Sequence, residues 1–331
     1  MREKPSSVHI PVLGQEVVSL LGGRSDSLKA SGLIVDATLG AGGHTALLLE
    51  ALAGVRVLGT DQDPEILDLA RKRLEPFGDR ARCERARFSN LARLLRKLRC
   101  DRPIGWLMDV GVSSLQLDRP SRGFSFQADG PLDMRMDPAR ERTAADIVNT
   151  WNEEDLADLF FREGDEHRSR PIAAAIIKAR QRVPFKRTAA LADLIVETVG
   201  SGGRTHPGTK VFQALRREVN AEGDELIAGM DAAADCLAHG GVLAVITFHS
   251  GEDAVVKQYL AQGAKEGCWE LLSKKGLSAS REEIRSNPRS RSARVRAARR
   301  IRSDGESTDL GSLETTDTGE TNFGSQGGQK P

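Results

Sequence analysis

The stretch Leu33-Ile34-Val35-Asp36-Ala37-Thr38-Leu39-Gly40-Ala41-Gly42-Gly43-His44 carries most of what this chain of 331 residues reveals. An apolar run ends in an aspartate, a glycine-bearing turn follows, and Ala46-Leu47-Leu48-Leu49 resumes the apolar pattern. A second apolar run over 55–59 ends in Asp61. That order reads as strand, glycine loop, helix, strand, acid. Glycine lets a ligand approach the backbone closely, and a helix N-terminus presents unpaired N–H groups. A carboxylate at the tip of the next strand accepts two ribose hydroxyl protons. The pattern predicts a nucleoside-containing cofactor at the switch point of a parallel sheet. A turn of this kind also occurs for tight packing alone. Gly40-Ala41-Gly42-Gly43 is not the G-x-G-x-x-G of dinucleotide binders, because Thr45 stands at the last glycine position. A cofactor without a pyrophosphate fits better, and S-adenosylmethionine is the obvious one.

The length allows about two domains and a sizeable core. Charged residues make up 29%, yet the net charge is only +1, so no global field advertises a polyanionic partner. Cys83, Cys100, Cys236 and Cys268 are scattered without a C-x-x-C pair. That spacing suits reduced cytoplasmic thiols better than disulfides or a zinc site, and no metal is expected. The first residues lack the apolar core of a signal peptide, and no apolar run reaches membrane-spanning length. A cytoplasmic location without membrane contact is the expectation.

Residues 33–110 alternate strand and helix, with strands at 33–36, 55–60 and 104–109 and helices at 46–53 and 65–74. Pro64 behind Asp63 resembles a helix start, so Asp63 is expected to be a cap. The rhythm stops after Asp109, and 111–138 reads as a long loop bearing glycine and aspartate. Disorder there would leave Phe124, Phe126, Leu132, Met134 and Met136 in water, so the loop is read as functional. Helical patterns follow without a convincing strand until 209–220 and 224–238, and a buried strand of the parallel kind follows over 242–247. The boundaries expected are a first core part over 1–116, a helical insertion for substrate recognition over 117–206, and a second core part over 207–302 that ends in an arginine-rich segment. Residues 303–331 have the composition of a disordered tail.

In doubly wound sheets, ligands sit beyond the C-terminal strand ends. Four such ends carry unusual polar groups here: Asp36, Asp61, Asp109 and His249. The segments around them, Asp36–His44, Asp61-Gln62-Asp63-Pro64, Gly111-Val112-Ser113-Ser114 with Gln116-Leu117-Asp118, Arg122-Gly123-Phe124-Ser125-Phe126 and 130–137, form a distinctive set. So do His9-Ile10-Pro11-Val12-Leu13, His206-Pro207, Phe212–Arg216, Phe248-His249-Ser250 and Asn287-Pro288-Arg289. Together they resemble the small-subunit ribosomal RNA methyltransferase H family over about residues 8–300. Gly14, Gly223 and Gly251 depart from its pattern, each replacing a usual leucine.

The resemblance implies an α/β class I S-adenosylmethionine-dependent methyltransferase, a Rossmann-like and mostly parallel seven-stranded sheet with an inserted helical domain. It implies methylation of N4 of a cytidine in the decoding region of small-subunit ribosomal RNA, within an assembled or nearly assembled subunit. It implies cofactor contacts at Gly42, Gly43, His44, Asp61, Phe88, Asp109 and Gln116. Asp109 is the first candidate to accept a proton from the target amine, and His249 the second. Phe124, Phe126 and Arg135 are candidate substrate contacts, although Arg135 can equally neutralise Asp133 and Asp137. Arg289, Arg291 and Arg294 are candidate phosphate contacts, or else part of a solvated helix face. Two rival classes share some features. An oxidoreductase binding NAD should show G-x-G-x-x-G, and a non-catalytic RNA-binding module has no need of the glycine loop with Asp61.

Overall fold

The computed structural model describes residues 10–22, 31–201 and 206–301. His9 and the stretch 303–331 expected to be a disordered tail lie outside them. The first part of the core runs α1 (Gly14–Gly22), β1 (Gly32–Asp36), α2 (Gly43–Ala51), β2 (Val55–Asp61), α3 (Pro64–Leu74), β3 (Ala81–Arg85), α4 (Leu91–Lys97) and β4 (Gly105–Asp109). A short helix, α5 (Ser114–Asp118), interrupts the expected loop. The helical segment holds α6 (Ala144–Thr150), α7 (Glu153–Gly164), α8 (Ser169–Arg180), α9 (Thr188–Val199) and α10 (Gly208–Asn220). The chain returns to the sheet through α11 (Glu222–Cys236), β5 (Val242–Thr247), α12 (Ser250–Lys265), β6 (Trp269–Leu271), β7 (Leu277–Ser278), α13 (Arg281–Ser286) and β8 (Arg294–Arg300).

Seven strands follow the order β3-β2-β1-β4-β5-β8-β6, and the two-residue β7 pairs with β8. β1 to β5 are parallel to their neighbours, and β8 runs antiparallel to both β5 and β6. The sheet is mixed and mostly parallel, as the resemblance implies. The order reverses between β1 and β4, so the crevice at their C-terminal ends is the switch point of the fold.

β1, β4 and β5 are buried along nearly their whole length, which explains their continuous apolar runs. Asp63 is the N-cap of α3, with its side chain accepting from Glu65 N at 3.1 Å and Pro64 at the first helical position. The arginine-rich segment is not a helix face. Residues 294–300 form β8, paired on both sides, where Val295, Ala297 and Ala298 fill the core. Arg296 is buried against Asp253 through paired bonds of 2.7 and 2.9 Å, and Arg299 bonds Glu270 at 2.8 Å. Arginine enters a central strand here because carboxylates on α12 and β6 meet it.

The helical segment has its own apolar core, running from Phe124 through α6–α9 to Val219 on α10. That core therefore continues past residue 206. The loop over 122–137 serves it with Phe124, Leu132, Met134 and Met136. Arg122 and Asp137 of the same loop reach the first part of the core. Arg122 Nη1 lies 2.8 Å from the fully buried Asp63, and its Nη2 donates to the carbonyls of Arg135 and Met136 at 2.9 and 3.1 Å. Arg85 pairs with Asp137. Removing one member of a buried pair strands the other charge. Arg122→Ala is therefore expected to lower unfolding free energy by about 3 kcal/mol. Urea unfolding checks this, and a loss within experimental error would show that Gln116 and the α3 backbone satisfy Asp63 alone.

Candidate active site

The turn after β1 is built by its own side chains. Asp36 accepts from Thr38 N at 3.2 Å and from Thr45 Oγ1 at 2.7 Å, and it is fully buried. Gly42 caps α2 in the left-handed region, with φ 77°, and offers no side chain to the helix's first N–H groups. A Cβ there would meet Leu74 at 3.1 Å, and one on Gly43 would meet Pro11 at 2.9 Å. The cradle thus needs glycine for space as well as for backbone angle.

Asp61 ties the turn to β2. One carboxylate oxygen accepts from Gly40 N at 3.0 Å and the other from Asp63 N at 2.9 Å. Each oxygen keeps a second lone pair for an outside donor. Burial pushes the Asp61 carboxyl up to about 6, against the pull of those two N–H groups.

Asp109 ends β4. Its backbone N–H donates to Thr38 Oγ1, and its Oδ1 is buried without a partner. Its Oδ2 lies 3.6 Å from His44 Nδ1. Burial pushes this carboxyl to about 6; His44 pulls it down, while Asp36 and Glu252 push it up. Burial raises Asp36 as well. Three desolvated carboxylates thus share one edge, and among the described residues none of them is paired with a lysine or arginine within 4 Å; the only ion-pair contact is His44 with Asp109.

Several predicted residues have internal duties. His44 is buried, and its Nε2 lies 2.8 Å from the carbonyl of Val12. A carbonyl only accepts, so Nε2 carries a proton and Nδ1 faces Asp109. Gln116 is buried in a capping box with Ser113 and donates to Asp63 at 2.9 Å. Phe88 is half-buried beside α11, where Gly229 leaves room for it and for Met108.

His249 is the N-cap of α12. Its Nδ1 accepts from Glu252 N at 3.3 Å, and its Nε2 lies 2.8 Å from Glu252 Oε1. Nδ1 is thus engaged by the helix, while Nε2 faces Glu252 without hydrogen-bond geometry and remains the nitrogen through which His249, the second acceptor candidate, could act. Phe124 is interior to the helical core, so it is not a surface for a base. Arg135 bonds Asp133 twice at 2.8 Å and also donates to the carbonyls of Pro138 and Arg140. Its guanidinium staples the loop rather than reaching outward. Phe126 is partly exposed and stacks on His206, with ring centres 4.4 Å apart. Arg289, Arg291 and Arg294 are exposed on the segment leading into β8.

The sequence reading missed Thr38, Thr45, Arg122 and Glu252 as parts of this edge. The two threonines flank the glycine turn, and Arg122 belongs to a quoted segment; only the charge of its buried partner Asp63 could have marked it.

The family model of the MraW methylase family matches residues 6–301. The chain belongs to the MraW methylase family. It is 47% identical to the ribosomal RNA small subunit methyltransferase H of Sorangium cellulosum, over 88% of this chain and 91% of that one. It is 44% identical to the protein of the same name from Carboxydothermus hydrogenoformans, over 88% and 98%. A solved rRNA methylase from Streptococcus thermophilus overlaps 87% of this chain and 94% of its own, with a TM-score of 0.40 and 11% identity.

This methylase depends on S-adenosylmethionine, and the edge fits that cofactor. Its sulfonium and ammonium supply the positive charge that Asp36, Asp61 and Asp109 lack. Asp109 Oδ1 is an acceptor still to be filled, and the glycine cradle excludes side chains where the ligand must approach.

The raised carboxyls make stability depend on pH. Between about pH 4 and pH 6 the folded protein holds protons that the unfolded chain has released, so stability falls as pH rises through that window. The Asp109 side chain keeps 24% of its exposure, and solvent screens part of the effect. Without the methyl donor, Asp109→Asn should gain about 1 kcal/mol over wild type at pH 7 and almost nothing at pH 4. Denaturant titrations across that range check it. Parallel curves for the two proteins would show that Asp109 does not titrate there.

Proposed function

We propose that this methylase transfers a methyl group to N4 of a cytidine in the decoding region of small-subunit ribosomal RNA, in the cytoplasm, on an assembled or nearly assembled subunit. The names of the relatives support the RNA class. The observation that carries the chemistry is the buried Asp109 carboxylate with its unpartnered oxygen at the end of β4.

When bound, S-adenosylmethionine supplies an electrophilic methyl group on a sulfonium. Asp61 would hold the ribose hydroxyls through its remaining lone pairs, Phe88 would pack on the adenine, and the Gly42-Gly43 turn would take the amino-acid end. His44 and Gln116 act through their neighbours, by fixing Asp109 and Asp63. The cytosine amine is a weak nucleophile because its lone pair delocalises into the ring. Asp109 Oδ1 accepts one amine proton in a hydrogen bond and so localises the lone pair. Asp109 would thus aim the amine nitrogen at the methyl group and take up the proton that the nitrogen loses on transfer. Most of the catalysis is positioning at about 3–3.5 Å. The target base leaves its stack to reach this edge. Phe126 with His206 offers a stacking surface, and Arg289, Arg291 and Arg294 contact phosphate.

The placement of the thiols favours N4 over C5. Methylation at C5 needs a cysteine to attack C6. Cys100, Cys236 and Cys268 precede β4, β5 and β6, at the opposite edge of the sheet, and Cys83 lies within β3. None reaches the crevice.

Asp61→Ala removes two charge-assisted bonds worth roughly 1.5–3 kcal/mol each, so calorimetry should show at least about a tenfold loss of S-adenosylmethionine affinity. Asp109→Ala should cut turnover by at least about a hundredfold. Cofactor affinity is measured in the same variant to separate binding from chemistry. Nucleoside mass spectrometry of treated ribosomal RNA should find N4-methylcytidine; 5-methylcytidine would overturn the mechanism.

A further inference from the structure

A second feature on the same sheet edge is a cavity of about 400 Å³ between α12, β8 and the turn that joins β6 to β7. Five of its seven lining residues are basic: Lys257, Lys274, Lys275, Arg294 and Arg296; none is acidic. The register Thr247↔Arg294 sets the start of β8 beside the C-terminal end of β5, so the cavity opens on the edge that carries Asp36, Asp61 and Asp109.

The arginines and lysines there are differently employed. Arg296 is nine-tenths buried and neutralised by Asp253. Its Nη1 also donates to the carbonyl of Lys274 at 3.4 Å, and Arg294 Nη1 donates to the carbonyl of Lys275 at 3.4 Å. Gly276 follows with φ 72°, and a Cβ there would meet Arg294 at 3.0 Å. The turn is thus fastened through its backbone at the rim of the cavity, and Lys274 and Lys275 are exposed there. Among the described residues, Lys257, Lys274 and Lys275 form no ion pair within 4 Å; Asp253 is bonded to Arg296, lies 3.8 Å from Arg294 and feels the charge of Lys257 at longer range. Five basic groups around one carboxylate leave an excess of positive charge that costs folding energy, and an anion removes that cost.

We propose that this cavity is a phosphate-binding site for the backbone of the substrate RNA, formed by Lys257, Lys274, Lys275 and Arg294. It deepens the functional reading above and rests on it. β8 stands two strands from β4, about 10 Å away at ordinary strand spacing, so the phosphate it holds lies within a few nucleotides of the target base. Lysine suits the role, because a point charge grips a backbone without reading sequence. Held there, the strand is fixed on one side while the base enters the crevice beside Asp109.

The test uses the full chain, a fluorescein-labelled 12-nucleotide single-stranded RNA and anisotropy over a range of salt concentrations. The variants are the triple change Lys257→Ala, Lys274→Ala, Lys275→Ala and the charge-keeping change Lys274→Arg, Lys275→Arg. For three lost phosphate contacts the slope of log affinity against log salt should flatten by about 2, and affinity near 0.1 M salt should drop about a hundredfold. The arginine variant should keep both. In turnover, the triple variant should raise KM for RNA far more than it lowers kcat. A slope change below about 0.7, less than one contact, would overturn the proposal. So would an equal loss in the arginine variant, since that would mark packing rather than charge. The product identified by mass spectrometry with wild-type protein is a separate readout, so failure of the N4 assignment is distinguishable from failure of this site.

Discussion

One pinned imidazole governs what the Asp109 carboxylate can do. His44 Nε2 is committed to the carbonyl of Val12, so only Nδ1 is left to meet Asp109. The orientation of that ring depends on where Val12 sits. Leu13 N donates to Glu283 at 2.7 Å, and Asn287 donates to the carbonyl of Ile10 at 3.0 Å. Two segments about 270 residues apart in the chain therefore form one bracket behind the reacting carboxylate. Asp109 Oδ2 faces that ring at 3.6 Å, beyond hydrogen-bond length, and Oδ1 stays without a partner.

The net charge of +1 conceals a strong separation along a single edge. Beyond β1, β2 and β4 stand buried carboxylates raised by desolvation, a setting that favours a cationic ligand. Beyond β5 and β8 the signs reverse. Glu252 and Asp253 are consumed by His249 and Arg296, and the groups left over are basic. Cofactor and nucleic acid need opposite potentials within a short distance, and the sheet supplies them by strand position. Global composition cannot report this, because the two halves cancel.

What was legible in the sequence follows from what each residue had to do alone. β1, β2, β4 and β5 could be read because a strand buried on both faces needs an apolar run, and Asp63 because Pro64 marks it as a cap. β8 could not. Its arginines look solvent-facing until Asp253 and Glu270 are known to lie opposite, and that pairing is tertiary. The same limit applies to His249, Arg135 and Phe124. Each has a reactive or RNA-binding side-chain type, but each is engaged by a neighbour: a helix turn, a loop carbonyl or an apolar core. The glycine turn and the carboxylates at the strand ends were identifiable because backbone geometry, not a distant partner, dictates them.

The loop over 122–137 explains how two separate cores behave as one enzyme. Its apolar side chains belong to the helical core, and its backbone is strapped to α10, where Asn220 accepts from Met136 N and donates to the carbonyl of Met134, both at 2.8 Å. Two of its charged side chains reach the first part of the core, through Arg122 with Asp63 and Asp137 with Arg85. Asp63 in turn donates its backbone N–H to Asp61, the carboxylate that holds the glycine turn. Arg122, Asp63 and Asp61 therefore form one continuous chain of polar contacts between the helical core and the glycine turn. The linkage consists of short polar contacts in a buried setting, where each group is costly to leave unpaired. The loop is thus built into both cores rather than laid over them.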